Sequence, residues 1–292
     1  MSLWESIAAD IAVATGKQGE LSRPVSANGG CINQAMRVCY GDTNYFVKLN
    51  MANKADMFAA EALGLQELLG SQTLKIPEPV CWGDDGESAY LVLEDLELGG
   101  HGDPAALGEG LAALHRVTRQ QFGWETDNTI GSTLQINTCN HDWVIFWREH
   151  RLQFQLELAA RNGHGGRLQS QGEKLLGAFP ALFAGYSPAA SLLHGDLWSG
   201  NYAYTRTGEP TIFDPAVYYG DRETDLAMTE LFGGFDSNFY AAYRADYPLD
   251  PGYGVRKTLY NLYHILNHLN LFGTGYRSQA YRMMESLLSE LQ

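Results

Sequence analysis

The stretch LLHGDLWSGN, Leu192 to Asn201, decides how this chain is read. Two leucines run straight into a histidine, a glycine and an aspartate, and an asparagine follows five residues after that aspartate. An apolar run that breaks into polar residues at a glycine marks a turn, and turns held on a rigid scaffold are where chemistry is most often placed. Asp196 and Asn201 are therefore the first candidates. Thirteen residues beyond Asn201, TIFDPA places Asp214 at the end of a second apolar, strand-like run.

The rest of the chain narrows the possibilities. Its 292 residues, 45% apolar and 18% charged, allow one large domain or two lobes with a well-packed core. The formal charge of −14 argues against a protein that grips nucleic acid through its phosphates. A nucleotide stays compatible, because a metal ion and one or two cations can meet its charge locally. The opening MSLWESIAAD has no basic residue before Lys17, and no apolar run reaches membrane-spanning length. We expect a soluble, cytoplasmic chain without a membrane partner. Cys31, Cys39, Cys81 and Cys139 are irregularly spaced and predict reduced thiols.

The pattern changes along the chain. SLWE fits a capping box, with Ser2 as cap and Glu5 reaching back, and Leu3, Ile7 and Ile11 then share a helical face. SANGGCINQ is small and polar; AMRVCY and YFVKLN alternate around the turn GDTN; residues 53–70 are helical by period. VCWG and AYLVLE give two more strands around DDGES. After ELGGHGDP, where Asp103-Pro104 marks a helix start, helices are expected near 103–119, 140–161, 221–232 and 251–272. These elements predict an α+β chain with a strand-rich N-terminal lobe, 1–97, ending in a hinge near Glu94 to Gly100. A mainly helical lobe, 98–292, follows.

Lys48 lies in the strand YFVKL with Phe46, opposite the face shared by Tyr45, Val47 and Leu49. Glu61 on the next helix is its natural partner, and such a pair would hold the ammonium where phosphates could reach it. Taken alone, a strand-edge charge and a solvated glutamate explain these two residues equally well. The larger set is more specific. The Asp196–Asn201 interval is that of the protein-kinase loop H-R-D-x-x-x-x-N, and Asp214 stands where the metal-binding Asp of D-F-G would. Phosphoryl transfer needs a hydroxyl relieved of its proton and a divalent cation held by hard oxygens. Asp196 would supply the first, Asn201 and Asp214 the second.

LLHGDLWSGN together with IFDPAVYYGDRETDLAM closely resembles the fructosamine kinase (ketosamine-3-kinase) family, a branch of the protein-kinase-like superfamily that also holds aminoglycoside and choline kinases. The likeness extends to NGGCIN as phosphate loop, AAEALGLQEL as glutamate helix, LVLEDL as hinge and LAALHR as the first helix of the larger lobe. The resemblance implies a two-lobed protein-kinase-like fold. It also implies Asp196 as catalytic base, Asn201 and Asp214 on Mg2+, and Lys48 on the ATP phosphates while paired with Glu61. Gly29 and Gly30 would belong to the phosphate loop, and Glu94, Asp95 and Leu96 would meet the adenine through backbone groups. The phosphate loop is less glycine-rich than that of protein kinases, and D-P-A replaces D-F-G, so the switch associated with that Phe is not carried over.

The implied activity is ATP-dependent phosphorylation of the 3-hydroxyl of a ketosamine, free or on a protein lysine, leading to deglycation. Its rivals are a kinase for an aminoglycoside, choline or a sugar, and an ATP-binding module without turnover. Trp198 either stacks on substrate or packs under the loop. His194 and Asp225 would support the catalytic loop, and His115 reads as a satisfied core histidine. Asp221 and Arg222 read as a capping acid with a neighbouring ion pair more readily than as substrate contacts. His264 and His268 share a helix face without a third metal ligand. Cys31 fills space as a reduced side chain, although the resemblance permits a redox switch there. Monomer and dimer are both compatible with the sequence.

Overall fold

The computed structural model describes residues 2–27 and 33–291. Helix α1 (Leu3–Thr15) carries the expected capping box: the Glu5 N–H donates to Ser2 Oγ at 3.4 Å, and Glu5 Oε2 accepts from the Ser2 N–H at 2.8 Å. There follow β1 (Val25–Ser26), β2 (Gln34–Tyr40), β3 (Thr43–Met51), α2 (Ala55–Gly70), β4 (Pro79–Asp84) and β5 (Ser88–Glu94). The five strands form one antiparallel sheet in the order β1-β2-β3-β5-β4. A 3-10 turn, Ala52–Lys54, precedes α2, so the α-helix begins two residues later than the periodicity predicts.

Strand alternation places the lysine. Tyr45, Val47 and Leu49 of β3 join Ile7 and Ile11 of α1 in a core with Val38, Tyr40, Tyr90 and Val92. Successive side chains of a strand point to opposite faces, so Lys48 faces the other way, toward α2. A one-residue register slip would bury Phe46 against α1 and turn the ammonium away from its helix.

The remaining elements are α3 (Pro104–His115), β6 (Thr118–Arg119), the hairpin β7 (Asn128–Ile130) and β8 (Thr133–Gln135), α4 (Trp143–Trp147), α5 (Phe154–Arg161), α6 (Arg167–Ala178), β9 (Ala190–Leu193), β10 (Tyr202–Tyr204), β11 (Pro210–Ile212), β12 (Tyr218–Gly220), α7 (Glu223–Leu231), α8 (Ser237–Asp246), α9 (Tyr253–Phe272) and α10 (Arg277–Glu290). The helical stretch expected over 140–161 is broken by a π-helical segment, Arg148–Gln153. The helix expected over 103–119 stops at His115, and Thr118–Arg119 turns into a strand that pairs with β9.

The chain divides into two compact units: Met1–Asp103 with Ala203–Pro215, and Pro104–Tyr202 with Ala216–Gln292. The segment 203–215 joins the first unit through Lys75. The Lys75 N–H donates to the Pro210 carbonyl (3.3 Å), and the Lys75 carbonyl accepts from Ile212 N–H (3.2 Å) and Thr211 Oγ1 (2.7 Å). In the second unit β9 is the middle strand of the order β12-β9-β6, and Leu192 and Leu193 are fully buried in it. Each such leucine stabilises the strand by about 2 kcal/mol. Helix α3 packs closely on α8 because Gly108 has no side chain: a Cβ there would lie 2.3 Å from the Phe239 carbonyl oxygen. The α+β class expected from the sequence is the class observed. No helix among the described residues is long and apolar enough to cross a membrane.

Candidate active site

The question posed by the two leucines is answered by β9. The strand ends at Leu193, and the chain turns at once through His194 and Gly195 into a loop that presents Asp196. Gly195 has φ +83°, and a Cβ there would lie 2.0 Å from the Ala216 carbonyl oxygen, so both backbone conformation and space require glycine. The Ala216 N–H donates to the His194 carbonyl at 2.8 Å, which ties the segment after Pro215 to the base of the loop. We predict that Gly195→Ala costs about 3 kcal/mol or more, seen as a fall in Tm of roughly 6–12 °C together with lost turnover.

Asp225 holds this loop from below. Its carboxylate accepts from the backbone N–H of His194 (2.7 Å) and of Gly195 (2.8 Å), and from His115 Nε2 (3.2 Å). Burial opposes the charge on Asp225, but the hydrogen bonds from His115 and the Gly195 N–H prevail and hold its carboxyl below the ordinary range. His194 is itself buried, and its Nδ1 accepts from the Asp196 N–H at 3.3 Å. Two backbone bonds close the turn, Trp198 N–H to Asp196 O at 3.2 Å and Asn201 N–H to Trp198 O at 2.9 Å. Asn201 Nδ2 donates to the Asp196 carbonyl at 2.8 Å and lies 3.5 Å from Asp196 Oδ2. Trp198 folds its indole over Gly200 and stays 39% exposed, so the ring packs on its own loop and still offers a face to solvent.

In the first unit, Lys48 Nζ donates to both Glu61 Oε1 and Asp214 Oδ1. The strand-edge alternative for Lys48 is thereby removed, because the ammonium is buried between two carboxylates. Burial lowers its proton affinity, but the charges of Asp214 and Glu61 outweigh that and hold the pKa above the usual lysine value. Burial pushes Glu61 up, Lys48 opposing and Asp214 adding. Asp214 follows β11 with φ +58°, a left-handed conformation rare for non-glycine residues but tolerated best by Asp and Asn, and typical of functional turns. Its carboxylate is 37% exposed, the most open of the three.

The residues expected to form the hinge are tied within the same unit. Glu94 takes Lys75 Nζ at 2.9 and 3.0 Å and spends its N–H on the Glu78 carbonyl (2.9 Å), while Asp95 pairs with Arg37 Nε at 3.0 Å. Leu96 follows without belonging to a strand. Gly29, Gly30 and Cys31 lie outside the described residues; Cys39, Cys81 and Cys139 are free thiols.

Among the described residues no group of three or more His, Cys, Asp or Glu could hold a metal ion. His268 Nδ1 donates to the His264 carbonyl at 2.8 Å, and burial, with His268 beside it, pulls His264 down to about 3. His115 is the satisfied core histidine expected, held between Asp225 and the Tyr243 hydroxyl (2.7 Å). Asp221 stands one residue before the N-cap of α7, Arg222, and accepts from the Glu223 N–H at 3.0 Å, while the ion pair beside it belongs to Glu223 and Arg256 (2.8 and 2.9 Å). Arg222 turns to α8 instead.

A buried amide network escaped the sequence reading. Arg151 donates to Asn137 Oδ1 (2.8 Å) and Asn137 to Asn128 Oδ1 (3.1 Å). Asn128 and Gln135 then donate to the carbonyls of Val217 (2.8 Å) and Ala216 (3.1 Å). These residues steady the segment that pairs with His194. The only signal for them in the sequence is a cluster of amides in a short hairpin, which reads equally well as a polar turn.

The fructosamine kinase family model matches residues 3–290. A probable ketoamine kinase from Synechocystis sp. is 49% identical over 288 residues, covering 98% of this chain and 97% of that protein. The chloroplastic protein-ribulosamine 3-kinase of Arabidopsis thaliana is 42% identical over 281 residues, covering 95% and 86%. The crystal structure titled "Putative fructosamine-3-kinase" from Haemophilus somnus 129PT superimposes with a TM-score of 0.89 at 27% identity, covering 98% of this chain and 97% of that one. With a protein-kinase-like fold and a match over nearly its whole length, the chain belongs to the fructosamine kinase family and is a phosphotransferase.

Proposed function

We propose that this protein transfers the γ-phosphoryl of Mg-ATP to the 3-hydroxyl of a ketosamine, a fructosamine or ribulosamine carried on a lysine or a small amine. The phosphorylated ketosamine then breaks down without further enzymatic help, and the outcome is deglycation. The observation that carries the reading is the catalytic loop itself: Asp196 sits on a turn whose backbone is clamped by a buried carboxylate and closed by Asn201. The 3-kinase activity in the Arabidopsis relative's name points to the acceptor.

Asp196 accepts the proton of the acceptor hydroxyl and orients it for attack. Lys48 has three donors, of which Glu61 and Asp214 take two, so a phosphate oxygen is its third partner. That cluster carries no net positive charge to offset a nucleotide's phosphates, which favours a divalent cation entering with them. Asn201 and Asp214 are hard-oxygen donors of the kind Mg2+ takes, an ion that keeps phosphate and water ligands beside one or two side chains. The cation would neutralise charge on the transferred group. Glu94 has its N–H committed to Glu78, so it would meet the adenine through its carbonyl, with Asp95 and Leu96 completing the edge. Trp198, with one face open, would stack on the acceptor.

A coupled ATP-consumption assay with ribuloselysine and fructoselysine, beside kanamycin, choline and ribose, tests the proposal. Turnover on the ketosamines is the expected result. Turnover confined to another acceptor would keep the kinase and remove deglycation; nucleotide binding with no transfer to any acceptor would favour a binding module.

A further inference from the structure

Arg222 is buried at the start of α7, and its guanidinium is committed to α8 and the residues after it. Nη1 donates to the Tyr243 hydroxyl (3.0 Å) and the Tyr247 carbonyl (3.1 Å), Nη2 donates to the Pro248 carbonyl (2.5 Å), and the guanidinium lies 3.6 Å from the centre of the Tyr247 ring. A guanidinium can only donate, so the Tyr243 oxygen accepts from it and sends its own proton elsewhere. The other neighbour of that hydroxyl is His115 Nδ1, at 2.7 Å. Nδ1 is then the lone-pair nitrogen, and the imidazole proton sits on Nε2, facing Asp225 Oδ2 at 3.2 Å.

We propose that Arg222 and Tyr243 are positioning residues for the catalytic loop, fixing the direction of the hydrogen-bond chain from Arg222 through Tyr243 and His115 to Asp225. In this direction Asp225 meets only donors: His115 Nε2–H and the N–H groups of His194 and Gly195, the two residues that precede Asp196. In the opposite direction the Nε2 lone pair would face a carboxylate oxygen in a buried site, and the anchor of the loop would lose a donor and gain a repulsion. Two polar side chains that touch neither the loop nor its anchor thus decide how firmly the loop is held.

The inference rests on Asp196 being the base of the proposed transfer, so the test reads hydrogen-bond direction and turnover separately. Histidine-labelled wild type, Arg222→Leu, Arg222→Lys and Tyr243→Phe are compared by long-range 1H–15N spectra and by steady-state kinetics. In wild type His115 carries its proton on Nε2 alone. Arg222→Leu frees the phenol to accept, and the His115 proton moves from Nε2 to Nδ1, which takes a donor from Asp225, so that kcat falls about 10-fold with the nucleotide KM unchanged within about twofold. Arg222→Lys restores most of the loss, because an ammonium also donates to the phenol. Tyr243→Phe leaves the guanidinium on the Tyr247 and Pro248 carbonyls and lowers kcat to a similar extent.

Wild-type kcat in Tyr243→Phe would overturn the proposal, even if Arg222→Leu fails to fold. A fall in kcat with Nδ1 still unprotonated in Arg222→Leu would also overturn it, leaving Arg222 a packing residue. A wild type that turns over none of the acceptors would count against the proposed function alone, and the spectra would still decide the direction of the chain.

Discussion

Asp196→Asn is expected to lower kcat about 10³-fold while leaving nucleotide affinity within about twofold of wild type. The side chain keeps its shape, and the contacts that fold the loop run through the Asp196 backbone: its N–H on His194 Nδ1, its carbonyl with Asn201 Nδ2 and the Trp198 N–H. An amide in place of the carboxylate removes the proton acceptor and leaves those backbone contacts in place, so Tm should move far less than turnover. Steady-state turnover on the best acceptor and calorimetric titration with a nucleotide measure the two quantities separately. A loss of turnover smaller than tenfold would remove Asp196 as base. Loss of turnover and nucleotide binding together would mean that the loop, not the proton transfer, had been damaged.

The residues legible in the sequence are those whose partners are fixed by period or by spacing. Lys48 was placed by the two-residue alternation of β3, and Glu61 by being on the next helix, so their ion pair needed no knowledge of distant segments. That Asp214 would complete it was not legible, because the contact depends on β11 docking beside Lys75, far away in the chain. The helices α6, α8 and α10 were missed for a related reason. Each buries only two or three residues, such as Phe239 and Tyr243 of α8, at proper helical spacing but within short and mostly polar segments that also read as loops. Arg151 is the least legible of the buried residues. A basic residue within an amphipathic stretch reads as solvent-exposed, yet it is fully buried, with its guanidinium 4.2 Å from the Tyr218 ring centre and 4.8 Å from that of Phe146, and its donors on the Ile136 carbonyl and Asn137. Ring faces and acceptor oxygens from three segments hold that charge, and only Phe146 among them is near it in the sequence.

Asp225→Asn should separate anchoring from chemistry. The carboxylate meets three donors, His194 N–H, Gly195 N–H and His115 Nε2, whereas an asparagine offers one acceptor oxygen and turns an NH2 toward at least one of them. Leaving one buried donor unsatisfied and weakening the others from charge-assisted to neutral bonds costs about 3 kcal/mol, a fall in Tm of roughly 6–12 °C. The sign of its pH dependence follows from the depressed carboxyl pKa. The stabilisation from Asp225 is complete above the ordinary carboxylate value and is lost only as pH falls through the depressed one. The difference in Tm between wild type and Asp225→Asn should therefore be constant from about pH 8 to 5 and shrink below about pH 4. Turnover should fall as well, by about 10² for a displaced loop, without Asp225 touching a substrate. Asp196→Asn loses rate with little change in Tm, and Asp225→Asn loses both. If Asp225→Asn kept its wild-type Tm, the two backbone N–H groups would have another acceptor, and the direction of the His115 hydrogen bond would cease to matter to the loop.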